Sequence, residues 1–365
     1  MKDSASAPCP DTGLNQISAE PVDQAMERWI HPAVILVATD LSDLDRLMPF
    51  ALEQAAQTGS RLLLLHILSP TASMAADASG MPSYDSTDAV NLAAHALEPV
   101  CALAREQDIA CEAMVREGNP AQQIGAVARQ FQAGRLLLGT RSRSKLGKLL
   151  LGSVAEQVLR SVNLPVITVG PEAHLPVDAS PQERVVLHAT TLRETSRPSA
   201  ALACRIAASQ GAKLLLLHVL PPLDPHFQDP PLREHEPMEY YFAPLSLINQ
   251  SAARQQGRSG EPASLDSAAM VALNQLAADT GASFHAVVEP HVVHGNPFIE
   301  ILAAASERHA SLIVLGARHR SFIAELTRDH TIYRVLAHAR CPVLTLRELQ
   351  PEPAATKTPQ LATYS

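Results

Sequence analysis

Residues 139–153 combine glycine, hydroxyl and basic side chains in an arrangement that could bind an anion. The segment begins at Gly139, continues through Arg141 and Ser142, and ends at Gly152 and Ser153. Glycine allows a ligand to approach the backbone closely, and unpaired N–H groups at a helix start favour negative charge. Basic side chains lie between the two glycines: Arg141, Arg143, Lys145 and Lys148. The segment therefore predicts a phosphate site, with a solvated basic loop as the alternative.

Two further positions offer groups that could bind a nucleoside. Thr39 and Asp40 end a short apolar run, and the Asp40 carboxylate could accept a hydrogen bond from a purine amino group or a ribose hydroxyl. An N-cap of the following helix is the alternative role for Asp40. Ile67 lies near the end of a second apolar run, where backbone groups could pair with a base edge. His66 and His218 occupy equivalent positions in such runs, and we expect both to be core histidines rather than ligands.

The apolar pattern around these residues alternates between strands and helices. Val34–Thr39 and Leu62–Leu68 are apolar at nearly every position, as expected for strands buried on both faces. Longer segments separate such runs, with Pro120 just inside one predicted helix and Gly59 just after another. This alternation predicts an α/β fold in which helices cover both faces of a parallel sheet. Ligands in such folds bind beyond the carboxyl ends of the strands, where the predicted site residues lie.

An internal repeat defines the organisation of the chain. Gly118–Pro120 and Gly295–Pro297 have the same sequence and lie 177 residues apart. The repeat predicts two α/β domains, residues 30–170 and 184–347, each with a five-stranded parallel sheet flanked by helices. The other segments lack a steady period and are mostly rich in proline and polar residues. We expect a flexible N-terminal segment, a linker, a long insertion and a flexible tail: 1–29, 171–183, 221–262 and 348–365.

Asp40 after the first strand, followed by Gly139-x2-Ser142-x9-Gly152-Ser153, resembles the motif of the universal stress protein family. Nucleotide-binding members carry G-x2-G-x9-G-[ST], so Ser142 stands where the family has its second glycine. The resemblance implies two tandem Rossmann-like domains of the adenine nucleotide alpha hydrolase-like type. It further implies a cytoplasmic stress-response protein that binds ATP, with Mg²⁺ accompanying the nucleotide, and that dimerises.

The resemblance also implies roles for individual residues. Asp40 and Ile67 would hold adenine, and the segment that starts at Gly139 would contact the ribose and phosphates. The full implied nucleotide-binding set comprises Thr39, Asp40, Ile67, Gly139, Arg141, Ser142, Gly152, Ser153 and Val154. Family members commonly pair through the last strand of the sheet, which here is Pro165–Val169 or Pro342–Leu346. A pseudo-dimer within the chain is therefore expected, with a homodimer as the alternative.

The second predicted domain lacks the groups that would hold a nucleotide. Thr191 takes the place of Asp40, and Asp329 and His330 follow its loop where the first domain has glycine and serine. An aspartate at a helix start repels phosphate. We therefore expect this domain not to bind ATP and to serve dimerisation or partner binding.

A transition-metal or other ligand site is an alternative function for the second predicted domain. His294, His319 and His330 all fall at strand or loop ends that should face the cleft, and two or three of them could form a site together with Asp329. Imidazole and carboxylate groups bind zinc and related metals. Histidines without tight spacing are more often solvated, so apart from magnesium we expect no metal.

Composition and motifs exclude several functional classes. The net charge of -8 argues against nucleic acid as the main partner, and no apolar run approaches the roughly 18 residues of a membrane span. The five cysteines are scattered without a CxxC pair, which indicates free thiols in a reducing cytoplasm. No catalytic motif is recognisable, so we expect at most slow incidental ATP hydrolysis. A nucleotide-free interaction scaffold is the alternative function, and Ser142 favours it. The sequence does not identify a protein partner.

Overall fold

The computed structural model describes residues 22–69, 86–140, 151–174, 183–193, 196–220, 265–318 and 331–348. The first half contains α1 (Val22–Ile30), β1 (Val34–Thr39), α2 (Leu44–Thr58), β2 (Arg61–Leu68), α3 (Ser86–Arg105), β3 (Cys111–Glu117), α4 (Pro120–Gln130), β4 (Arg135–Gly139), α5 (Ser153–Ser161) and β5 (Val166–Val169). The second half contains β6 (Val185–Ala189), α6 (Arg197–Ser209), β7 (Lys213–Leu220), α7 (Leu265–Phe284), β8 (Val288–His294), α8 (Pro297–Glu307), β9 (Ala310–Arg318), α9 (Thr331–His338) and β10 (Val343–Glu348). The predicted insertion at 221–262 lies outside the described residues.

The strands form one ten-stranded sheet in the order β3-β2-β1-β4-β5-β10-β9-β6-β7-β8. Neighbouring strands are parallel within each half, whereas β5 and β10 pair antiparallel where the halves meet. This confirms the predicted α/β fold, with the difference that the two predicted sheets are joined into one. The order reverses between β1 and β4, which places a topological switch point at the carboxyl ends of these two strands.

Helices cover both faces of the sheet because strand residues alternate between two apolar clusters. Leu36 packs on the face covered by α4, α5, α8 and α9, together with Val158 and Val335. Ile35 and Val37 pack on the opposite face, which α1, α2, α3 and α6 cover. Burial on both faces accounts for the consecutive apolar positions in the sequence. No described helix is long and apolar enough to cross a lipid bilayer.

The halves meet at the antiparallel pairing of β5 with β10, as the pseudo-dimer expectation required. Ile167 and Leu344 face each other at its centre. Both side chains are buried, and the Thr168 hydroxyl donates to the Val343 carbonyl oxygen across the junction at 3.2 Å. The junction is therefore part of the continuous core rather than a flexible connection.

The two sides of this junction differ at one pair of equivalent positions. Arg347, at the end of β10, donates to the Arg160 carbonyl oxygen and to Oδ1 of Asn163, both at 3.1 Å. The repeat spacing makes Gly170 the equivalent residue after β5. A Cβ at Gly170 would lie 3.4 Å from the Ala339 carbonyl oxygen. One side of the junction thus carries a long basic side chain where the other has none.

Helix α1 corrects the expectation that residues 1–29 are flexible, because residues 22–30 are helical. Trp29 and Ile30 are buried against the sheet. The fully buried Arg135 donates to the Trp29 carbonyl oxygen at 2.8 Å, to the Ile30 carbonyl oxygen at 3.0 Å and to Oε1 of Gln54 at 2.5 Å. Burial lowers the pKa of Arg135 to about 10. The helix is ordered because a buried guanidinium satisfies carbonyl groups at its C-terminal end.

Candidate functional site

A cavity of about 540 Å³ lies at the carboxyl ends of β1, β2 and β4, next to the topological switch point. The first residues of α4 and α5 close its other side. Its size falls within the range of about 300–1,000 Å³ that is usual for small-molecule sites. The lining residues are Ala38, Thr39, Asp40, Ser42, Asp43, Arg46, Leu65, Ile67, Ser69, Pro120, Ile124, Leu138, Gly139, Gly152, Ser153, Val154 and Ala155.

The turn after β1 is held by its own side chains. Leu41 has a φ of 72°, and its N–H donates to Oγ1 of Thr39 at 2.9 Å. Asp40 Oδ1 accepts from the Ser42 N–H at 3.0 Å and from the Ser42 hydroxyl at 2.6 Å. This bonding resembles the alternative capping role for Asp40, although the helix begins only at Leu44. The turn fixes the Asp40 carboxylate at the cavity edge.

Asp43 is a lining residue that the sequence reasoning missed. Its Oδ1 accepts from the Thr39 hydroxyl at 2.6 Å, and its Oδ2 lies 4.0 Å from the Arg46 guanidinium. Burial raises the pKa of Asp43, and the nearby charge of Asp40 adds to the rise. A carboxylate and a guanidinium lie one helical turn apart in the sequence at the start of α2, and this spacing could have indicated the pair of Asp43 and Arg46.

Gly139 contacts Asp43, which gives a further reason for a glycine at this position. A Cβ at Gly139 would lie 2.2 Å from Oδ2 of Asp43 and 3.0 Å from Nη2 of Arg46. The sequence reasoning assigned this glycine to close approach of a ligand. The structure shows that the glycine also makes room for a half-buried carboxylate from the neighbouring element.

The N-terminus of α5 forms the opposite wall of the cavity. Gly152 is its N-cap, with φ -65° and ψ 145°, and Ser153 and Val154 follow as exposed residues. The first N–H groups of a helix have no partner within the helix and can bind an anion. The N–H of Leu151, just before the cap, donates to the Tyr333 hydroxyl at 3.0 Å. A residue of the second half therefore holds the start of this helix.

The remaining wall is apolar and comes from β2 and α4. Leu65 and Ile67 extend from β2, and Pro120 and Ile124 from the first turns of α4. Asn119 caps this helix by accepting from the Gln122 N–H at 3.2 Å, which orients the wall. An aromatic base could pack against such a surface while its polar edge reaches the backbone of β2.

The cavity brings together most of the predicted site residues. Seven of them line it: Thr39, Asp40, Ile67, Gly139, Gly152, Ser153 and Val154. Arg141 and Ser142 lie outside the described residues. Besides Asp43 and Arg46, the sequence reasoning also missed Ser42 and Ile124 as lining residues. Ser42 and Asp43 follow Asp40 by two and three residues, so the strand-end argument could have reached them.

Comparison with known proteins identifies the family to which this sequence and fold belong. The model of the Universal stress protein family matches residues 33–170 and 183–347. The chain belongs to the universal stress protein family. A universal stress protein of Methanocaldococcus jannaschii is 35% identical over 74 residues, which are 20% of this chain and 44% of that relative. The match thus spans less than half of the curated relative's length.

Solved structures resemble the whole universal stress protein tandem. A universal stress protein from Archaeoglobus fulgidus has a TM-score of 0.60 at 19% identity, over 87% of this chain and 97% of its own. A protein of unknown function from Pseudomonas aeruginosa has a TM-score of 0.55 at 17% identity, over 88% of this chain and 95% of its own. At such low identity the likeness concerns the fold.

The second universal stress protein repeat keeps the turn but changes its chemistry. The Leu192 N–H donates to Oγ1 of Thr190 at 3.1 Å, as in the first half. Thr191 takes the place of Asp40, and its hydroxyl lies 3.0 Å from the hydroxyl of Ser196. The carboxylate of the first half is therefore replaced by a neutral hydroxyl pair, as the sequence alignment of the two halves predicted.

The equivalent histidines of the two repeats hold the same turn from the neighbouring strand. His66 Nδ1 lies 3.0 Å from the Thr39 carbonyl oxygen, and His218 Nδ1 lies 2.8 Å from that of Thr190. His218 is buried and His66 half-buried. Burial lowers the pKa of His218. Both rings act on the backbone, as expected for structural histidines.

The described residues show no cluster of three or more His, Cys, Asp or Glu side chains arranged to hold a metal ion. His294 Nε2 lies 2.7 Å from Oδ1 of Asp266, at the N-terminal end of α7. His319, Asp329 and His330 lie outside the described residues. For these three residues the metal hypothesis stays a prediction.

Proposed function

We propose that the first half binds ATP or a related adenine nucleotide in the cavity at the β1–β4 switch point. One observation carries the proposal: a single cavity joins the Asp40 carboxylate and the apolar β2 wall to the N-terminus of α5. A nucleotide needs this combination, because its base, ribose and phosphates have different polarity. Other universal stress proteins have been solved with dAMP and with cAMP. The proposal rests on the cavity of this chain and not on those complexes.

In the proposed complex, the base packs between Ile67 and Ile124, and Asp40 accepts a hydrogen bond from the base or the ribose. The phosphates approach the N–H groups of Ser153 and Val154, where the helix dipole favours negative charge. Arg46 lines the cavity and contributes a further positive charge. Magnesium would accompany the nucleotide by binding its phosphate oxygens. Arg141 and Ser142, in the loop between β4 and α5, belong to the proposed phosphate-contacting set.

The second half, in this proposal, binds no nucleotide and supports the first. Thr191 lacks the charge of Asp40, and Tyr333 holds the start of α5 in the other half. The protein would act by binding rather than by catalysis, in the cytoplasm, where lasting disulfides are rare. The four described cysteines are free and buried, which fits that compartment.

Equilibrium binding of a fluorescent ATP analogue tests the proposal. We expect saturable binding of one nucleotide per chain, and a loss of at least tenfold in affinity for Gly152→Asp. The Gly152 dihedral angles suit any residue, and aspartate is a good N-cap. This substitution therefore preserves α5 while placing a negative charge in the proposed phosphate site.

A matched pair of substitutions separates the two halves. Asp40→Ala should weaken binding, whereas Thr191→Ala, at the equivalent position of the second half, should leave affinity and stoichiometry unchanged. Absence of saturable binding at millimolar nucleotide would favour the nucleotide-free scaffold. Two nucleotides per chain would contradict the assignment to the first half alone.

A further inference from the structure

We propose that Cys101 and Cys111 form a modification site, at which a small disulfide oxidant converts the two thiols into an intramolecular disulfide. Their sulfur atoms lie 2.8 Å apart in the core of the first half. A disulfide bond is about 2.05 Å long, so the sulfur atoms need to approach by less than one ångström. This inference concerns the redox state of the chain and is independent of the proposed nucleotide binding.

The elements around the two cysteines hold them in this arrangement. Cys101 lies in the last turns of α3, and Cys111 is the first residue of β3. The Arg105 guanidinium donates to the Cys111 carbonyl oxygen through Nε at 3.2 Å and through Nη2 at 2.9 Å. The connecting turn is fixed by Asp108, with a φ of 59° and an N–H that donates to the Arg105 carbonyl oxygen. Helix end, turn and strand start are thus one compact unit, and bond formation requires little rearrangement.

The local charges also distinguish Cys101 from the other described cysteines. The hydrogen bond between the two thiols lowers the pKa of Cys101 and raises that of Cys111, and the positive charge of Arg105 favours the Cys101 thiolate. Burial instead raises the pKa of Cys204 to about 11 and that of Cys341 to about 12. Thiolates are the nucleophiles of disulfide exchange. Cys101 is therefore the attacking group, and Cys111 is the resolving group.

The reaction balances with one molecule of a small disulfide. The Cys101 thiolate attacks one sulfur of the oxidant, forms a mixed disulfide and releases the first small thiolate. Cys111 then gives up its proton to the released thiolate, attacks Sγ of Cys101 and releases the second small thiolate, which leaves the protein disulfide. The two cysteine protons pass to the released thiolates, so the protein loses two hydrogens and the oxidant becomes two thiols.

Access to the site comes from the edge of the sheet. β3 is an outermost strand, and Cys111 retains 7% of its exposure while Cys101 has none. Oxidation would therefore follow local opening of the α3 end, which costs less free energy than global unfolding. The resulting bridge would tie α3 to β3.

Peptide mapping of the oxidised full-length protein tests this inference. The protein is treated with oxidised glutathione under native conditions, and remaining thiols are blocked before digestion. Trypsin separates the cysteines because it cleaves after Arg61, Arg105 and Arg116, giving peptides 62–105 and 106–116. We expect these two peptides to be joined by a disulfide, with a loss of two hydrogens and no retained glutathione. Unlinked peptides at oxidant doses that modify other cysteines would overturn the inference.

Two variants distinguish attack from resolution. Cys111→Ser should trap glutathione on Cys101, whereas Cys204→Ser, at a buried cysteine of the second half, should still yield the linked peptides. Oxidation should raise Tm by several degrees in the native sequence, because a cross-link restricts the unfolded chain. It should not raise Tm in Cys111→Ser. A linked product between Cys9 and either cysteine would also overturn the assignment.

Discussion

The Asp43 carboxylate lies against the backbone of Gly139, in the space that a Cβ of any other residue would occupy. The separation from such a Cβ to Oδ2 would be only 2.2 Å. Asp43 cannot move away freely, because its other oxygen accepts from the Thr39 hydroxyl. The carboxylate at the start of α2 therefore keeps this position only with a glycine at the end of β4.

Substituting Gly139 with alanine should destabilise the protein by about 1–2 kcal/mol, because the displaced carboxylate loses its partly buried hydrogen bond with Thr39. It should also weaken nucleotide binding, since Asp43 lines the cavity. Urea denaturation and the fluorescent binding assay measure the two effects. Gly125→Ala is the matched control, because the nearest atom to its Cβ would be 3.5 Å away. Alanine there should increase stability by up to about 1 kcal/mol, as in any helix interior. Equal effects of both substitutions would contradict this explanation.

The raised pKa of Asp43 predicts a pH-dependent effect of Asp43→Asn. A carboxyl whose pKa is raised by folding binds its proton more tightly in the folded state, so its charged form opposes folding at neutral pH. This cost disappears as the pH falls below the ordinary value of 3.8. Asparagine keeps the acceptor for Thr39 and remains a good N-cap. The variant should therefore have a higher Tm than the native protein at pH 7, and the difference should shrink towards pH 3.5.

Asp45→Asn is the control for this pH effect, since Asp45 is exposed in the same turn of α2. Its Tm should follow that of the native protein across the whole pH range. A Tm difference for Asp43→Asn that is the same at pH 3.5 and pH 7 would contradict the prediction.

Tyr333→Phe should lower both the stability of the protein and its affinity for nucleotide, because Tyr333 of the second half supports the cavity of the first. The substitution leaves the buried Leu151 N–H without its acceptor, at a cost of about 1–3 kcal/mol. We expect several-fold weaker nucleotide binding, because the start of α5 loses its support. Thr168→Val removes another hydrogen bond between the halves, at a residue that does not itself line the cavity. It should lower Tm without changing affinity, and a similar loss of affinity in both variants would refute a positioning role for Tyr333.

Arg135→Met should release α1 from the sheet. Two carbonyl groups and the Gln54 amide oxygen lose their buried donor, so we expect a destabilisation of about 3 kcal/mol or more. Hydrogen exchange of residues 22–30 should become much faster. Arg129→Met, at an exposed arginine of α4, should change stability by less than about 0.5 kcal/mol. Unchanged exchange in α1 would show that apolar packing alone holds this helix.

The strand and helix order of both halves could be predicted from the sequence because the evidence for it is local. The apolar runs and the Gly-Asn-Pro turn each depend on a few neighbouring residues. The repeat recurs at a fixed spacing in the sequence. The Gly-Asn-Pro turn is a clear case. The Asn119 side chain accepts a hydrogen bond from the N–H three residues later, and the Asn296 side chain accepts one from the N–H two residues later. Such bonds depend on short-range sequence alone. The strand-end argument together with the family resemblance singled out seven residues that line one cavity.

The features that escaped prediction depend on partners far apart in the chain. Helix α1 is ordered by Arg135, more than a hundred residues away, and a proline-rich, polar terminus gives no sign of that contact. Asp43 and Gly139 come from separate elements, so their contact follows only from the sheet order. Cys101 and Cys111 have an ordinary sequence spacing, and only the fold shows that their sulfur atoms meet.

The pairing of β5 with β10 within one chain affects how the sequences of the two halves can diverge in evolution. In a symmetric pair of identical chains, each substitution occurs twice, once on either side of the shared boundary. Here each half always meets the same, unlike neighbour in a fixed one-to-one ratio. Arg347 and Gly170 illustrate this difference between the halves. They occupy equivalent positions, but Arg347 has a long side chain and Gly170 has none. Covalent linkage thus allows the two halves to acquire different substitutions while they remain paired.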